Sequence, residues 1–154
     1  MIQEGRKTKS MPPLLTGGCA CGAIRYAGTA EPLLALNCHC RACQRASGAA
    51  FAAIIRLPAA AFTVTKGAPK FYTVPGDSGN RVSRGFCPEC GSPLFSRLSG
   101  LPDVVGVRVG SLDDPSCYRP TMDMFVARAQ PWDHMNPELP KFPGYPQGVG
   151  SKRT

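Results

Sequence analysis

The chain lacks any long apolar run. Its longest, GAAFAAII at residues 48–55, falls far short of the roughly 20 residues a helix needs to cross a bilayer, so a membrane-spanning helix is excluded. The first residues, MIQEGRKTKSMPPLL, carry basic side chains but no apolar core of the kind a secretory signal requires. Glu4 and the missing amphipathic period disfavour a mitochondrial presequence as well. The expectation is a reducing, cytoplasmic setting with no membrane partner. Nor is any stretch patterned for a long helix. There are 17 glycines and 16 prolines in 154 residues, with proline at about twice its usual share, which favours short strands and turns. One domain with a real core fits this length.

Acidic residues are also scarce, 10 against 18 Lys and Arg, for a formal charge of +8. Such a balance invites a nucleic-acid reading. The excess, however, is concentrated at the ends. Residues 1–10 hold Arg6, Lys7 and Lys9 against Glu4, and residues 141–154 hold Lys141, Lys152 and Arg153 with no acid. The body, 11–140, has twelve basic and nine acidic side chains. Seven cysteine thiolates on two zinc ions would bring it to about zero. A nucleic-acid partner is therefore disfavoured. The chain divides into a flexible basic N-terminal tail (1–13), a zinc-binding β domain (14–143) and a flexible C-terminal tail (144–154).

What the sequence has in quantity is cysteine: Cys19, Cys21, Cys38, Cys40, Cys43, Cys87, Cys90 and Cys117. Cys-x-Cys pairs are too close to bridge without strain, and a reducing compartment argues against disulfides. Cys-x-Cys and Cys-x-x-Cys are metal spacings. In FCPECGSPLF (86–95), Cys87 and Cys90 flank a tight turn ended by Gly91, half of a zinc ribbon. In GGCACGAIRY (17–26), Cys19 and Cys21 sit in a glycine-rich turn before a strand. Together they supply four thiolates, a closed structural zinc site. Cys38, Cys40 and Cys43 in NCHCRACQRASGAAF (37–51) remain as a set of three. Three protein ligands leave a fourth zinc position for water or substrate. An all-sulfur set blunts Lewis acidity and suits capture of a substrate thiol as a thiolate. The alternative is a second structural zinc closed by a fourth residue, with Cys117 as the candidate, although a free Cys117 fits its isolated position better.

Other residues near these clusters admit two readings. Arg41 and Arg45 lie beside the three thiols in sequence and either offset the site's negative charge or bind substrate carboxylates, or else are solvated. Ser47, Gly48 and Phe51 line a small pocket or belong to a packed hairpin. His39, between two ligands in an extended backbone, is expected to point away from them. His134 reads as a surface histidine, and Trp132 as core or as a cover over the site. No side chain is a convincing general base. Strands are expected at 23–28, 33–37, 50–56, 62–66, 70–74, 81–86, 93–98, 103–110 and 122–128, with a hairpin turn at 75–80 and one short helix over QRASG (44–48). Strands this short and this closely spaced predict a mainly β fold of antiparallel sheets with little helix.

The three cysteine segments, in this order and spacing, resemble the glutathione-dependent formaldehyde-activating family, which includes centromere protein V-like proteins. The resemblance runs over about residues 15–143 and takes in PTMDMFVARAQPWDHMNPELPKF near the end. It implies an Mss4-like fold of β sheets stapled by zinc, with two ions per chain. One would be structural, on Cys19, Cys21, Cys87 and Cys90; one functional, on Cys38, Cys40 and Cys43. It further implies a carbon–sulfur lyase that joins formaldehyde to glutathione, giving S-hydroxymethylglutathione. The substrate-contact candidates, Arg41, Arg45 and Phe51, rest on their position beside the three thiols and not on the resemblance. Asp123 stands where many members have histidine. The competing expectation is a non-catalytic zinc-stabilised module that binds protein or nucleic acid. The sequence leaves a homo-oligomer open.

Overall fold

The structure, a computed structural model, describes residues 12–76 and 79–147. Of the tails expected at 1–13 and 144–154, residues 1–11 and 148–154 lie outside the described residues, as does the tip of the 75–80 hairpin. The architecture is two β layers. Strands β1 (Leu15–Gly18), β2 (Arg25–Gly28) and β5 (Phe62–Lys66) form a three-stranded antiparallel sheet in the order β1-β2-β5. The larger sheet holds β3 (Leu34–Cys38), β4 (Ala52–Pro58), β6 (Lys70–Pro75), β7 (Arg81–Phe86), β8 (Pro93–Leu98), β9 (Leu101–Arg108), β10 (Asp123–Met124) and β11 (Lys141–Phe142). Its order is β11-β10-β3-β4-β9-β8-β7-β6. The one α-helix among the described residues, α1 (Arg41–Ser47), follows β3. None of the helices described is long and apolar enough to cross a membrane.

Alternation along the strands divides the large sheet into two faces. One face packs on the small sheet. Its core holds Tyr26, Ile55, Leu57, Phe62, Phe95, Val105 and Val107. Phe62 lies between Tyr26 and Phe95, with ring centroids at 5.3 and 4.8 Å, distances typical of favourable tilted aromatic pairs. The other face carries a second core of Leu36, Cys38, Cys43, Ala52, Met124 and Phe125, roofed by α1. Leu57 has no exposed surface and sits in the first core. Leu57→Ala should destabilise the metal-loaded protein by about 2–5 kcal/mol, read from urea unfolding. A change of less than about 1 kcal/mol would contradict tight packing between the layers.

Several expected elements shift. The helix begins three residues earlier than expected, because Cys40 caps it: its Sγ accepts from Cys43 N–H at 3.3 Å. It ends at Gly48, whose φ of 67° is the left-handed conformation glycine tolerates. The strand expected over 122–128 stops after Met124. Phe125 takes φ 59°, and Val126–Arg128 form a 3-10 turn instead. β10 runs parallel to both β3 and β11, a departure from an all-antiparallel sheet. Tyr145, past the boundary at 143, packs on Phe125 with ring centroids at 4.7 Å, so the packed chain extends at least that far.

Candidate functional site

The cysteines gather as two groups, and all eight are free of disulfides. Cys19 follows β1, and Cys87 follows β7, so the two sheets each present a turn to the same point. Cys19, Cys21, Cys87 and Cys90 have their sulfurs within 4.8 Å of one another. Cys19–Cys21 and Cys21–Cys87 are 3.6 and 3.8 Å apart. Four sulfurs at 2.3 Å from a tetrahedral zinc would be about 3.8 Å apart, so the cluster fits that ion without rearrangement. Amide groups support the charge expected there: Ile24 N–H donates to Cys19 Sγ at 3.2 Å. Hydrogen bonds from Ser92, through its side chain and its backbone, hold the Cys90 thiol down at about 5.

The second group is Cys38, Cys40 and Cys43, again with sulfurs within 4.8 Å. Cys38 ends β3, Cys40 caps α1, and Cys43 is on the first turn of α1. Among the described residues no fourth Cys, His, Asp or Glu completes this set. Cys117 is exposed, with its thiol on the Asp114 carbonyl at 3.3 Å, and belongs to neither group. The three thiols influence one another strongly. Contacts with Cys40 and Cys43, together with burial, push Cys38 well up. Cys43 is held well below its ordinary value by Cys38 and Cys40, against burial, with help from the charges of Arg108 and Arg84. Three soft donors in this arrangement suit a thiophilic ion with one position to spare.

His39 is fully buried and points away from the thiols, as the alternation of an extended chain requires. Its Nε2 is 2.9 Å from Asp123 Oδ1. Its Nδ1 lies 3.1 Å from Asp133 Oδ2, off the line of a hydrogen bond. Burial pushes the Asp123 carboxyl up, but hydrogen bonds from His39, Asn37 and Lys141 outweigh it and leave the group below its ordinary value. Asp123 therefore supports the back of the site and does not line its front. Gln44 ties the pieces together. Its Nε2 donates to the carbonyls of His39 and Arg128 at 2.7 and 2.9 Å, and its Oε1 accepts from Arg41 and Gln130.

Beside the three thiols lies a pocket of about 230 Å³, lined by Cys40, Arg41, Arg84, Phe125, Arg128 and Tyr145 among others. Its walls combine three guanidiniums with apolar side chains. Burial, with the nearby thiols, pushes the Tyr145 phenol up to about 12, so it stays neutral. Of the residues expected at the substrate, Arg41 is in this pocket. Arg45 is exposed and not among its lining residues. Phe51 packs on His39, with ring centroids at 5.2 Å, and lines a different cavity of about 420 Å³ with Cys19, Ser47 and Arg108. Trp132 is 63% exposed, neither core nor cover. His134 is exposed, as expected. Sequence reasoning passed over Arg56, Arg84, Arg108, Arg128 and Tyr145. A signal existed for three of them: Arg56, Arg84 and Arg108 are strand arginines set among apolar or small residues, in AIIRLP, RVSRGF and VGVR.

A family model described as glutathione-dependent formaldehyde-activating enzyme matches residues 14–128. Among solved structures, the crystal structure of a Rhodobacter sphaeroides protein matches with a TM-score of 0.53 and 23% identity, over 82% of this chain and 98% of that one. At that identity the second likeness concerns the fold.

Proposed function

The chain belongs to the glutathione-dependent formaldehyde-activating enzyme family, and from that premise we propose that it joins the glutathione thiol to formaldehyde, forming S-hydroxymethylglutathione as a carbon–sulfur lyase in its adduct-forming direction. The observation that carries this reading is a three-thiol cluster with no fourth protein ligand among the described residues, beside a pocket of arginines. We assign zinc to both clusters, two ions per chain, in a reducing cytoplasm that keeps the thiols free. Zinc bound at Cys38, Cys40 and Cys43 would supply a centre that lowers the pKa of a substrate thiol.

The chain's own residues do the rest. Glutathione carries two carboxylates, and Arg41 and Arg128 present forked donors suited to them. Gln44 fixes both by accepting from the Arg41 guanidinium and holding the Arg128 carbonyl. Val74, Val82 and Phe125 make the apolar wall that limits water around the reacting sulfur. The reaction balances without a protein acid or base. The thiol proton passes to solvent, the sulfur pair forms the C–S bond, the carbonyl π pair moves onto oxygen, and solvent protonates that oxygen. This matches a site where His39 and Asp123, the histidine and carboxylate behind the cluster, are buried against each other.

The adduct forms spontaneously, so catalysis is read as faster exchange between free and bound ¹³C-formaldehyde by NMR. The metal-loaded protein should accelerate this exchange. Arg41→Gln and Arg128→Gln should each raise the KM for glutathione by about tenfold with kcat little changed, the pattern of lost uniform binding. Absence of acceleration, or an unmoved KM in both variants, contradicts the assignment.

A further inference from the structure

We propose that Arg84 and Arg108 form an oxyanion site under α1, facing Cys43, that receives the aldehyde oxygen as the carbon–sulfur bond forms. The inference rests on the proposed reaction and adds catalytic residues to it. Strand register places both arginines on the face that carries the thiols. Arg84 pairs with Ser96, Ser96 with Gly106, and Gly106 with Arg56, while Arg108 pairs with Ile54 and Cys38 with Ala52. Residues opposite one another, or two apart on a strand, share a face.

Both side chains are incompletely satisfied. Arg108 is only 7% exposed, and its Nη1 is buried without a hydrogen-bond partner among the described residues; Arg84 Nε is in the same state. A buried donor left unpaired loses its hydration without compensation, more so when charged, so two on one face need a reason. Among the described residues neither arginine has a carboxylate partner. The floor between them is kept small. A Cβ on Gly106 would meet Ser96 Oγ at 3.0 Å and Ile54 Cγ2 at 3.3 Å. The two reach the cluster from opposite sides of the helix: Arg84 lines the pocket with Cys40 and Arg41, and Arg108 lines the cavity with Ser47 and Phe51. Their charges both act on Cys43.

Chemistry gives this pair a task. As the substrate sulfur attacks, negative charge leaves sulfur and arrives on the carbonyl oxygen. Guanidinium N–H groups already fixed by burial can donate hydrogen bonds to that oxygen without reorganising, which is where electrostatic catalysis is strongest. Arginine keeps its own protons throughout, so the alkoxide is protonated by solvent.

The test uses formate as a small oxygen anion on a one-carbon frame, titrated calorimetrically into the metal-loaded protein without glutathione. Arg84→Lys and Arg108→Lys keep the charge that balances the thiolates but lose the planar fork, so metal content should hold. Each should weaken formate binding by about tenfold and lower kcat for exchange by about 100-fold, with the glutathione KM unchanged. Arg45→Lys, on the exposed side of α1, should change neither. Formate affinity and kcat unmoved in both lysine variants overturn the proposal. So does formate binding that depends on Arg41 and Arg128 instead, or a loss of metal with formate affinity intact. Arginine-dependent formate binding in a protein that never accelerates exchange supports the anion site and overturns the reaction it was assigned to. Normal exchange in both lysine variants leaves the reaction standing and removes the oxyanion role.

Discussion

Stripping the metal with a strong chelator, or replacing Cys87 with serine, is expected to unfold the protein. Cys19 and Cys21 are at the end of the small sheet's first hairpin, and Cys87 and Cys90 are in the turn between β7 and β8 of the large one. An ion shared by all four bridges the two layers and closes a loop of 66 residues between Cys21 and Cys87. Closing a loop of that length costs the unfolded chain about 4 kcal/mol of entropy, which a bound ion offsets. Structural zinc contributes roughly 10–16 kcal/mol of binding free energy at neutral pH, against a net stability of roughly 5–15 kcal/mol for an ordinary domain. Cys87 is also fully buried, so a serine there leaves a hydroxyl with less than its share of partners. The measurement is a circular-dichroism melt alongside metal content. A loss of the cooperative transition is the expected result; an apo-protein that melts where the loaded protein does would show that packing alone holds the layers together.

Cys43→Ser should have the opposite profile: a fold that persists and a reaction that does not. Serine keeps the shape of the side chain on α1 but replaces a soft thiolate with a hydroxyl that remains protonated, so the three-ligand set falls to two. Acceleration of formaldehyde exchange should drop at least about 100-fold, the scale expected when an element essential to the chemical step is removed. The melting temperature should move by only a few degrees, because the layer-bridging cluster is untouched. Metal content should fall by one ion per chain. A variant that retains full acceleration would place the chemistry somewhere other than this cluster. One that unfolds like Cys87→Ser would make the second ion structural as well.

The metal clusters were legible because their information is local. Cys-x-Cys and Cys-x-x-Cys spacing reports ligand geometry directly, and the division into four and three follows once strands carry each segment to its place. The strands from 23 to 110 were legible for a similar reason, with ends displaced by at most two residues, whereas β1 and β11 were not foreseen. The substrate side was not. Arg45 is two positions from Cys43, which on a helix turns it through about 200° and away from the sheet. Arg41 is held in place by Gln44, three positions along on the same helical surface. Phe51 comes after the left-handed turn at Gly48 and is directed to the other cavity. Arg84 and Arg108 are more than 40 residues from the three thiols of the second cluster in sequence and meet them only through the register of five strands. Nothing local announces which side of a strand an arginine will occupy. The stop at Phe125 was hidden for a different reason: a left-handed phenylalanine contradicts its own propensity and is imposed by tertiary packing around the second core.

The parallel placement of β10 and β11 beside β3 has a consequence for synthesis. The thiols of the second cluster leave the ribosome within the first third of the chain. Asp123, which braces His39 behind them, and Tyr145, which walls the pocket in front, come close to the end. For most of translation those sulfurs have neither brace nor wall, so the nascent chain has all four sulfurs of the layer-bridging cluster well before the second cluster has its final surroundings.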